Sequence, residues 1–293
     1  MTARLPNRPN TLEAHATGIL NSHLEKRSRA RKMWTLLAES PEIQTCWLMA
    51  NYVATKKLGM NDHGETHALV ATASALTMLD LLEGSEFCPD IVSEGFGDWD
   101  DAALVVLTAM LCHDLGNTIH RDDHASLGVA VTLPVLDRVL PLIYDDLCKR
   151  TAIRSFILSA IYSHHGTPRP LTIEAAIVCI ADATDMTKGR GRVAFESGSI
   201  SIHSVSALSI ERVEIKTGEE KPIALVIHMS SPAGIFQVQE ILAPKVRAGP
   251  LADAVDVVAI TTEEAHAAGN SIVSGIRMQG ARFVSLNSEK KQK

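Results

Sequence analysis

Aromatic residues make up only 4% of this 293-residue chain. So few aromatic rings argue against an aromatic-rich β-sandwich. A hydrophobic fraction of 46%, rich in alanine and aliphatic residues, points instead to helical packing. Basic residues are outnumbered, 28 Lys and Arg against 34 Asp and Glu. The formal net charge of −6 makes non-specific nucleic-acid binding unexpected, since counterion release needs a basic face, although a local basic pocket is still allowed. The five cysteines (Cys46, Cys88, Cys112, Cys148, Cys179) form no C-x-x-C pair and lie mostly in apolar stretches. Neither a disulfide framework nor a zinc ribbon is supported, and buried reduced thiols are the expectation. The longest apolar run, Ala102 to Cys112, is too short to span a bilayer. The first ten residues, MTARLPNRPN, lack an apolar signal core. A cytoplasmic protein with no membrane partner follows as the expectation. There are no internal repeats or low-complexity segments, and the length allows one large domain or two moderate ones.

Histidine, by contrast, is concentrated. Seven of the twelve histidines fall between positions 63 and 165: His63, His67, His113, His120, His124, His164 and His165. His113 is followed directly by Asp114, at the end of the apolar run, and Asp182 comes later. Neutral imidazole together with carboxylate is the usual ligand set of a catalytic divalent or redox metal.

The pattern is mainly α. After a tail of ten residues, residues 11–57 read as helical, with Pro41 near the start of the second helix. Asp62 and Glu65 resemble a capping box, and the helix that follows places His67 on a face with Val70, Ala71, Ser74 and Met78, ending near Gly84. Asp98 caps the next helix, which Gly116 ends just past His113 and Asp114. Neighbours inside a helix point about 100° apart, so two of them share a site most easily at a helix end. A third helix starts near Arg121, carries His124 and is interrupted by Pro134. A fourth runs from about Asp145 to Ser163 and delivers His164 and His165. Thr172 caps a fifth that carries Asp182 and reaches Met186, with Asp185 on the same face and placed to orient ligands. Asp122 and Asp123 read as charges that complement a helix N-terminus.

Beyond about Phe195 the character changes. Residues 200–202 and 207–215 read as strand, as do Ile223 to Met229 and Val255 to Ile260, and Gly234 opens a helix to about Ala248. The division is an N-terminal helical extension (1–58), a helical domain (59–195) and a smaller α+β domain (196–293). The apolar strands Ile223 to Met229 and Val255 to Ile260 also suggest a homodimer, since exposed edges need covering.

The order His67, His113-Asp114, Asp182 on successive helices resembles the HD-domain superfamily of metal-dependent phosphohydrolases. The local runs His113-Asp114-Leu115-Gly116 and Ile180-Ala181-Asp182 carry the likeness over about residues 60–190. It extends to an uncharacterised branch with a comparable second domain, through NDHGETHA, HDLGNTIHRDDH, IADATDMTKGR, IHSVSALSI and AGIFQ. The resemblance implies an HD helical bundle in which His67, His113, Asp114 and Asp182 hold one divalent metal. In two-metal members the aspartate bridges and two further histidines hold the second ion. His124 and His164 match these, with His165 as a substitute for His164. Mn, Fe, Mg, Ni, Co and Zn are not distinguished. Asp114, His120 and Arg121 are candidates for the chemistry, and His63, Lys188, Arg190 and Arg192 for phosphate binding. His63 and His120 are equally compatible with hydrogen-bonded structural roles, and residues 188–192 with a solvated turn.

The implied activity is hydrolysis of a phosphate ester or anhydride in a nucleotide or other small phosphorylated metabolite. Two departures from the family bear on it. The G-Y-P element that cyclic-dinucleotide phosphodiesterases carry after their His-His pair is Gly166-Thr167-Pro168-Arg169-Pro170 here, so that substrate is not supported. The common lysine after H-D-x-G is Asn117. The same ligand set also fits a mixed-valent diiron oxygenase, and a non-catalytic nucleotide sensor is a third possibility.

Overall fold

A computed structural model describes residues 11–188, 202–262 and 275–286. Three helices lead the chain: α1 (Thr11–Leu24), α2 (Ser28–Ala38) and α3 (Pro41–Asn51). Ser40 caps α3 by accepting from the Ile43 N–H, and Pro41 occupies the first turn, where its missing donor costs nothing. Pro41 therefore opens the third helix, not the second. The extra break at residues 25–27 has a long-range cause. The Asp100 carboxylate accepts from the Arg29 and Ala30 N–H groups, both at 3.0 Å, and so caps α2 from seventy residues away.

The body of the bundle is α4 (Glu65–Leu81), the short α5 (Asp90–Ser93), α6 (Trp99–Cys112), α7 (His124–Val139), α8 (Leu147–Ser163) and α9 (Ile173–Thr184). Asp98 and Asp101 form a reciprocal capping box at the start of α6. From Ala102 to Cys112 every residue of α6 is buried. A helix that is apolar all round belongs at a centre, and α2, α4, α8 and α9 surround this one.

Three expected boundaries move. Helix α4 begins at Glu65 after Gly64, not at an Asp62 cap. The residues before it lie against α3, where Asn51 Oδ1 accepts from the His63 N–H, and Asp62 reaches forward to accept from the His67 N–H at 3.1 Å. Helix α6 ends at Cys112, and Gly116 lies in the 3-10 turn Leu115–Thr118 beyond it. Pro134 sits inside an unbroken α7. The carbonyl it leaves without a donor is that of Ala130, an exposed residue that water can serve.

The smaller domain begins with α10 (Ile202–Leu208), whose two ends the sequence pattern had assigned to strands 200–202 and 207–215, followed by β1 (Ile210–Thr217) and β2 (Ile223–Met229). Position 200 lies outside the described residues. A broken helix over residues 232–248, ending in α11 (Ala243–Ala248), crosses to β3 (Val255–Thr261). Then come β4 (Gly275–Gln279) and β5 (Arg282–Ser285), both unexpected from the sequence. The sheet order is β1-β2-β3-β4-β5; β2 and β3 are parallel, which requires the helical crossover, and the other pairs are antiparallel. Alternate residues of β2 (Ile223, Leu225, Ile227, Met229) and β3 (Val255, Val257, Ala259) are buried, in one cluster with Val238, Leu242 and Val246 of the crossover. Both strands lie inside the sheet, so the edges are β1 and β5, not the apolar strands that suggested a dimer.

The fold is thus a mainly α bundle followed by a smaller α+β domain, and one buried cluster runs through both. Of the cysteines, Cys112 and Cys179 are buried, but Cys148 is exposed and Cys46 and Cys88 are half-buried. Among the described residues one helical stretch, His124–Leu142, is long and apolar enough to cross a membrane by length and composition. It is 28% buried, packs on α8 and starts at a histidine of the site below.

Candidate metal centre

Helices α6 and α8 end beside one another. His113 is the C-cap of α6, His164 is the C-cap of α8, and their ring centroids lie 5.0 Å apart. Each C-terminus carries roughly half a negative charge from its unpaired carbonyls, so two such ends favour a cation between them.

The same local device orients three of the histidines. His113 Nδ1–H donates to Met110 O at 2.7 Å, His164 Nδ1–H to Ile161 O at 2.6 Å, and His124 Nδ1–H to Arg121 O at 2.8 Å. In each case the acceptor is three residues back. A carbonyl only accepts, so the proton sits on Nδ1 and Nε2 is turned towards the centre. His67, in the first turn of α4, donates from Nδ1 to the Asp185 carboxylate at 2.7 Å.

The Nε2 atoms of His67 and His113 then meet two carboxylates. They lie 3.1 Å from each other. His67 Nε2 is 3.6 Å from Asp114 Oδ2 and 3.2 Å from Asp182 Oδ1. The corresponding distances from His113 Nε2 are 3.3 and 3.5 Å. Four donors about 2.0–2.1 Å from one ion in a tetrahedron are separated by about 3.3–3.4 Å. The five edges match that size.

The other oxygen of Asp114 faces a second group. Asp114 Oδ1 lies 3.3 Å from His124 Nε2. His124, His164 and His165 place one ligand atom each within 4.8 Å of one another, as do His113, His164 and Asp182. His124 Nε2 and His165 Nε2 are 2.7 Å apart. Asp114 thus presents one oxygen to each group.

Two buried atoms here have no hydrogen-bond partner: Asp114 Oδ2 and His164 Nε2. Each costs about 1–3 kcal/mol if left so. Both are lone-pair donors aimed into the cluster, which is the chemistry a cation answers. The residues therefore fit a divalent ion.

The electrostatics agree. Burial would depress His113, but the carboxylates of Asp114 and Asp182 outweigh it and lift the imidazole to about 10. Burial would raise Asp114, yet the neighbouring imidazoles, His113 first and then His63, hold it well below the carboxylate range. Asp182 is also held well below that range: burial opposes this, while the Lys245 charge and the adjacent His113 and His67 imidazoles enforce it. His164 is pushed well below the histidine range by burial and the neighbouring imidazoles, so it is a bare ligand at neutral pH. His165 falls to about 4, first from desolvation and then from Lys245.

Glycine lets the 3-10 turn Leu115–Thr118 approach α7 closely. A Cβ on Gly116 would stand 1.9 Å from His124 O and 2.5 Å from Gly128 N. Asp123, with a left-handed φ of 57°, turns the chain into α7 just before His124. Asn117, fully buried, donates to Asp114 Oδ1 at 2.8 Å and to the Asp114 carbonyl at 3.0 Å. Its own Oδ1 accepts from Arg121, whose guanidinium also lies 3.8 Å from Asp114 Oδ1.

The remaining candidates separate. His63 is buried, with its ring centroid 5.9 Å from that of His67 and Nδ1 bonded to Asn61 O. His120 does not join the cluster. Its side chain is 65% exposed and accepts from the Asp122 N–H within its own turn. Lys188 is paired with Glu211 of β1 at the surface. Arg190 and Arg192 lie outside the described residues. Lys245, on α11, was not anticipated: it donates to Asp182 Oδ2 and to His164 O. Nothing local to its own segment marks it.

A family model described as HD domain matches residues 80–187. An uncharacterised protein of Methanocaldococcus jannaschii, MJ1020, is 39% identical over 228 residues, covering 78% of this chain and 88% of its own length. Ribonuclease Y of Aliarcobacter butzleri is 27% identical over 39% of this chain and 20% of its own length. That of Campylobacter fetus is 28% identical over 37% of this chain and 19% of its own. No solved structure matches. With its cluster of histidines and aspartates at the helix ends, the chain belongs to the HD-domain superfamily of metal-dependent phosphohydrolases.

Proposed function

We propose that the chain hydrolyses a phosphate ester or anhydride of a nucleotide or small phosphorylated metabolite, with two divalent ions shared across Asp114. The observation that carries this reading is the splitting of that carboxylate, Oδ2 towards His67 and His113 and Oδ1 towards His124. When bound, such ions lower the pKa of water and stabilise charge on phosphoryl oxygens.

The chain's own residues supply the rest. His67 and His113 are fully buried, whereas His165 is exposed and Arg121 keeps a quarter of its side chain in solvent. Substrate therefore enters along the Arg121 and His165 side. Arg121 is oriented by Asn117 and offers a planar cation to non-reacting phosphate oxygens. Asn117, where the family often has lysine, serves Asp114 instead of substrate. The partial likeness to ribonucleases Y supports phosphodiester chemistry in general. Against RNA itself stands the net charge of −6, which offers no broad basic face.

Metal analysis of the purified protein, joined to a phosphatase and nucleotide-hydrolysis screen, tests the proposal. His113→Ala and Asp114→Ala should each abolish metal and activity while leaving helical circular dichroism intact. An iron-loaded protein that consumes oxygen and cleaves no phosphate would establish the diiron oxygenase reading instead. A homodimer in the cytoplasm is part of the same proposal, and a monomeric mass in light scattering at micromolar concentration would refute the dimer.

A further inference from the structure

Lys245 is 9% exposed, deep for a lysine, and both its recorded acceptors belong to the histidine and aspartate cluster. Buried lysines are rare unless their charge is matched. Here Nζ donates to Asp182 Oδ2 and to the carbonyl of His164 at 3.0 Å. The other Asp182 oxygen, Oδ1, faces His67 Nε2 at 3.2 Å and His113 Nε2 at 3.5 Å. The carboxylate is therefore divided, with one oxygen engaged by the ammonium and the other presented to the centre.

The turn after His165 explains how a helix from the other domain gets this close. Gly166 has φ +83°, and a Cβ there would lie 3.3 Å from Ala248 Cβ and 3.6 Å from Cys179 Sγ. At the far end of α11, a Cβ on Gly249 would come within 2.8 Å of Pro170 and 3.0 Å of Ala176. The run from Gly166 to Pro170 is thus the seat on which α11 rests, with α9 beneath it.

We infer that the C-terminal domain completes the metal centre. Lys245 is a positioning residue that restricts Asp182 to ligation through one oxygen. The inference rests on the metal-centre reading above. A free carboxylate can swing to ligate through both oxygens; an ammonium held by a second acceptor, the end carbonyl of α8, prevents this. Partners that orient metal ligands in this way are worth roughly 10–100-fold in metal affinity or activity.

The test uses the full chain loaded with Co(II), whose visible spectrum reports the ligand geometry. Lys245→Met should keep the helical circular dichroism, weaken Co(II) binding by roughly 10–100-fold and shift the visible bands. Lys245→Arg, which restores a cation, should recover part of the affinity. A folded Lys245→Met protein with unchanged affinity and spectrum would overturn the inference while leaving the metal centre standing. Should that variant not fold, Lys245→Gln carries the same test, with shifted bands in support and unchanged bands against. If the wild-type protein binds no Co(II), the metal-centre reading itself fails, and this inference with it.

Discussion

At the scale of single residues, the centre is built from histidines whose protons are placed by their own backbone. His113, His124 and His164 each donate Nδ1–H to the carbonyl three residues back, so the direction of Nε2 is a local property of the helix end. His113 differs from His164 in its surroundings: two carboxylates lift the first to about 10, while burial and other imidazoles depress the second. In the metal-free protein His113 is therefore an imidazolium at neutral pH, and a metal must displace its proton. Calorimetry of metal binding at pH 8, in two buffers of different ionisation heat, should show a proton released to buffer. Below about 10 that proton competes, so the apparent affinity should climb with pH towards that value. Equal heats in both buffers would refute the assignment. The identity of these residues was legible in the sequence because ligand chemistry restricts the choice to few side chains. Their sorting was not. His120 and His124 are four positions apart, yet one faces water and the other the centre.

Among elements, close approach and remote charge decide more than propensity does. The 3-10 turn after Asp114 touches the first turn of α7 backbone to backbone, with room only for glycine at position 116. Gly116→Ala should destabilise the fold by at least about 1–3 kcal/mol in urea denaturation, as overpacking does, because the atom it strikes is a carbonyl oxygen and not a flexible side chain. A neutral result would mean that α7 shifts freely. Charge acts similarly between α1, α2 and α4. Asp80 on α4 is paired with His23 of α1 and with Arg27 just before α2. Burial would raise its carboxyl, but the His23 hydrogen bond and the Arg27 charge hold it below its ordinary value. A depressed folded-state pKa gives stabilisation that is complete above the unfolded value of about 3.9 and is lost as pH falls through the folded one. Asp80→Asn should lower the melting temperature at pH 7, and the gap from wild type should close in acid. A gap that persisted at the lowest pH would show that packing, not charge, holds these helices together. Helix starts were legible where caps are local, as at Asp98 and Thr172. The start of α2 was not, because its cap is Asp100.

For the molecule as a whole, candidate ligands from five helices and a lysine from the second domain meet at one place, so metal and fold should be coupled. Chelation should lower the melting temperature and readdition should restore it. An ion at a hundred times its dissociation constant contributes about 2.7 kcal/mol. The His113→Ala variant should show no such response; a chelator-insensitive wild type would contradict the coupling. The small β strands were the least legible part. β4 and β5 are short: β4 joins the sheet only through β3, across a long stretch of chain, and β5 only through β4. Positions 202, 207 and 208, read as parts of two strands, instead belong to the helix α10, which packs on β1 and the start of the crossover.

Composition and the order of histidines and aspartates along the chain were enough to determine the family, the helical character and the set of possible ligands. Few residue types bind metals, and helical periodicity is a short-range signal. Tertiary structure alone decided which histidines converge, that Asp114 faces two groups at once and that Lys245 reaches Asp182. Those outcomes depend on contacts between residues tens of positions apart, whose energies depend on distance in space and leave no trace in local sequence.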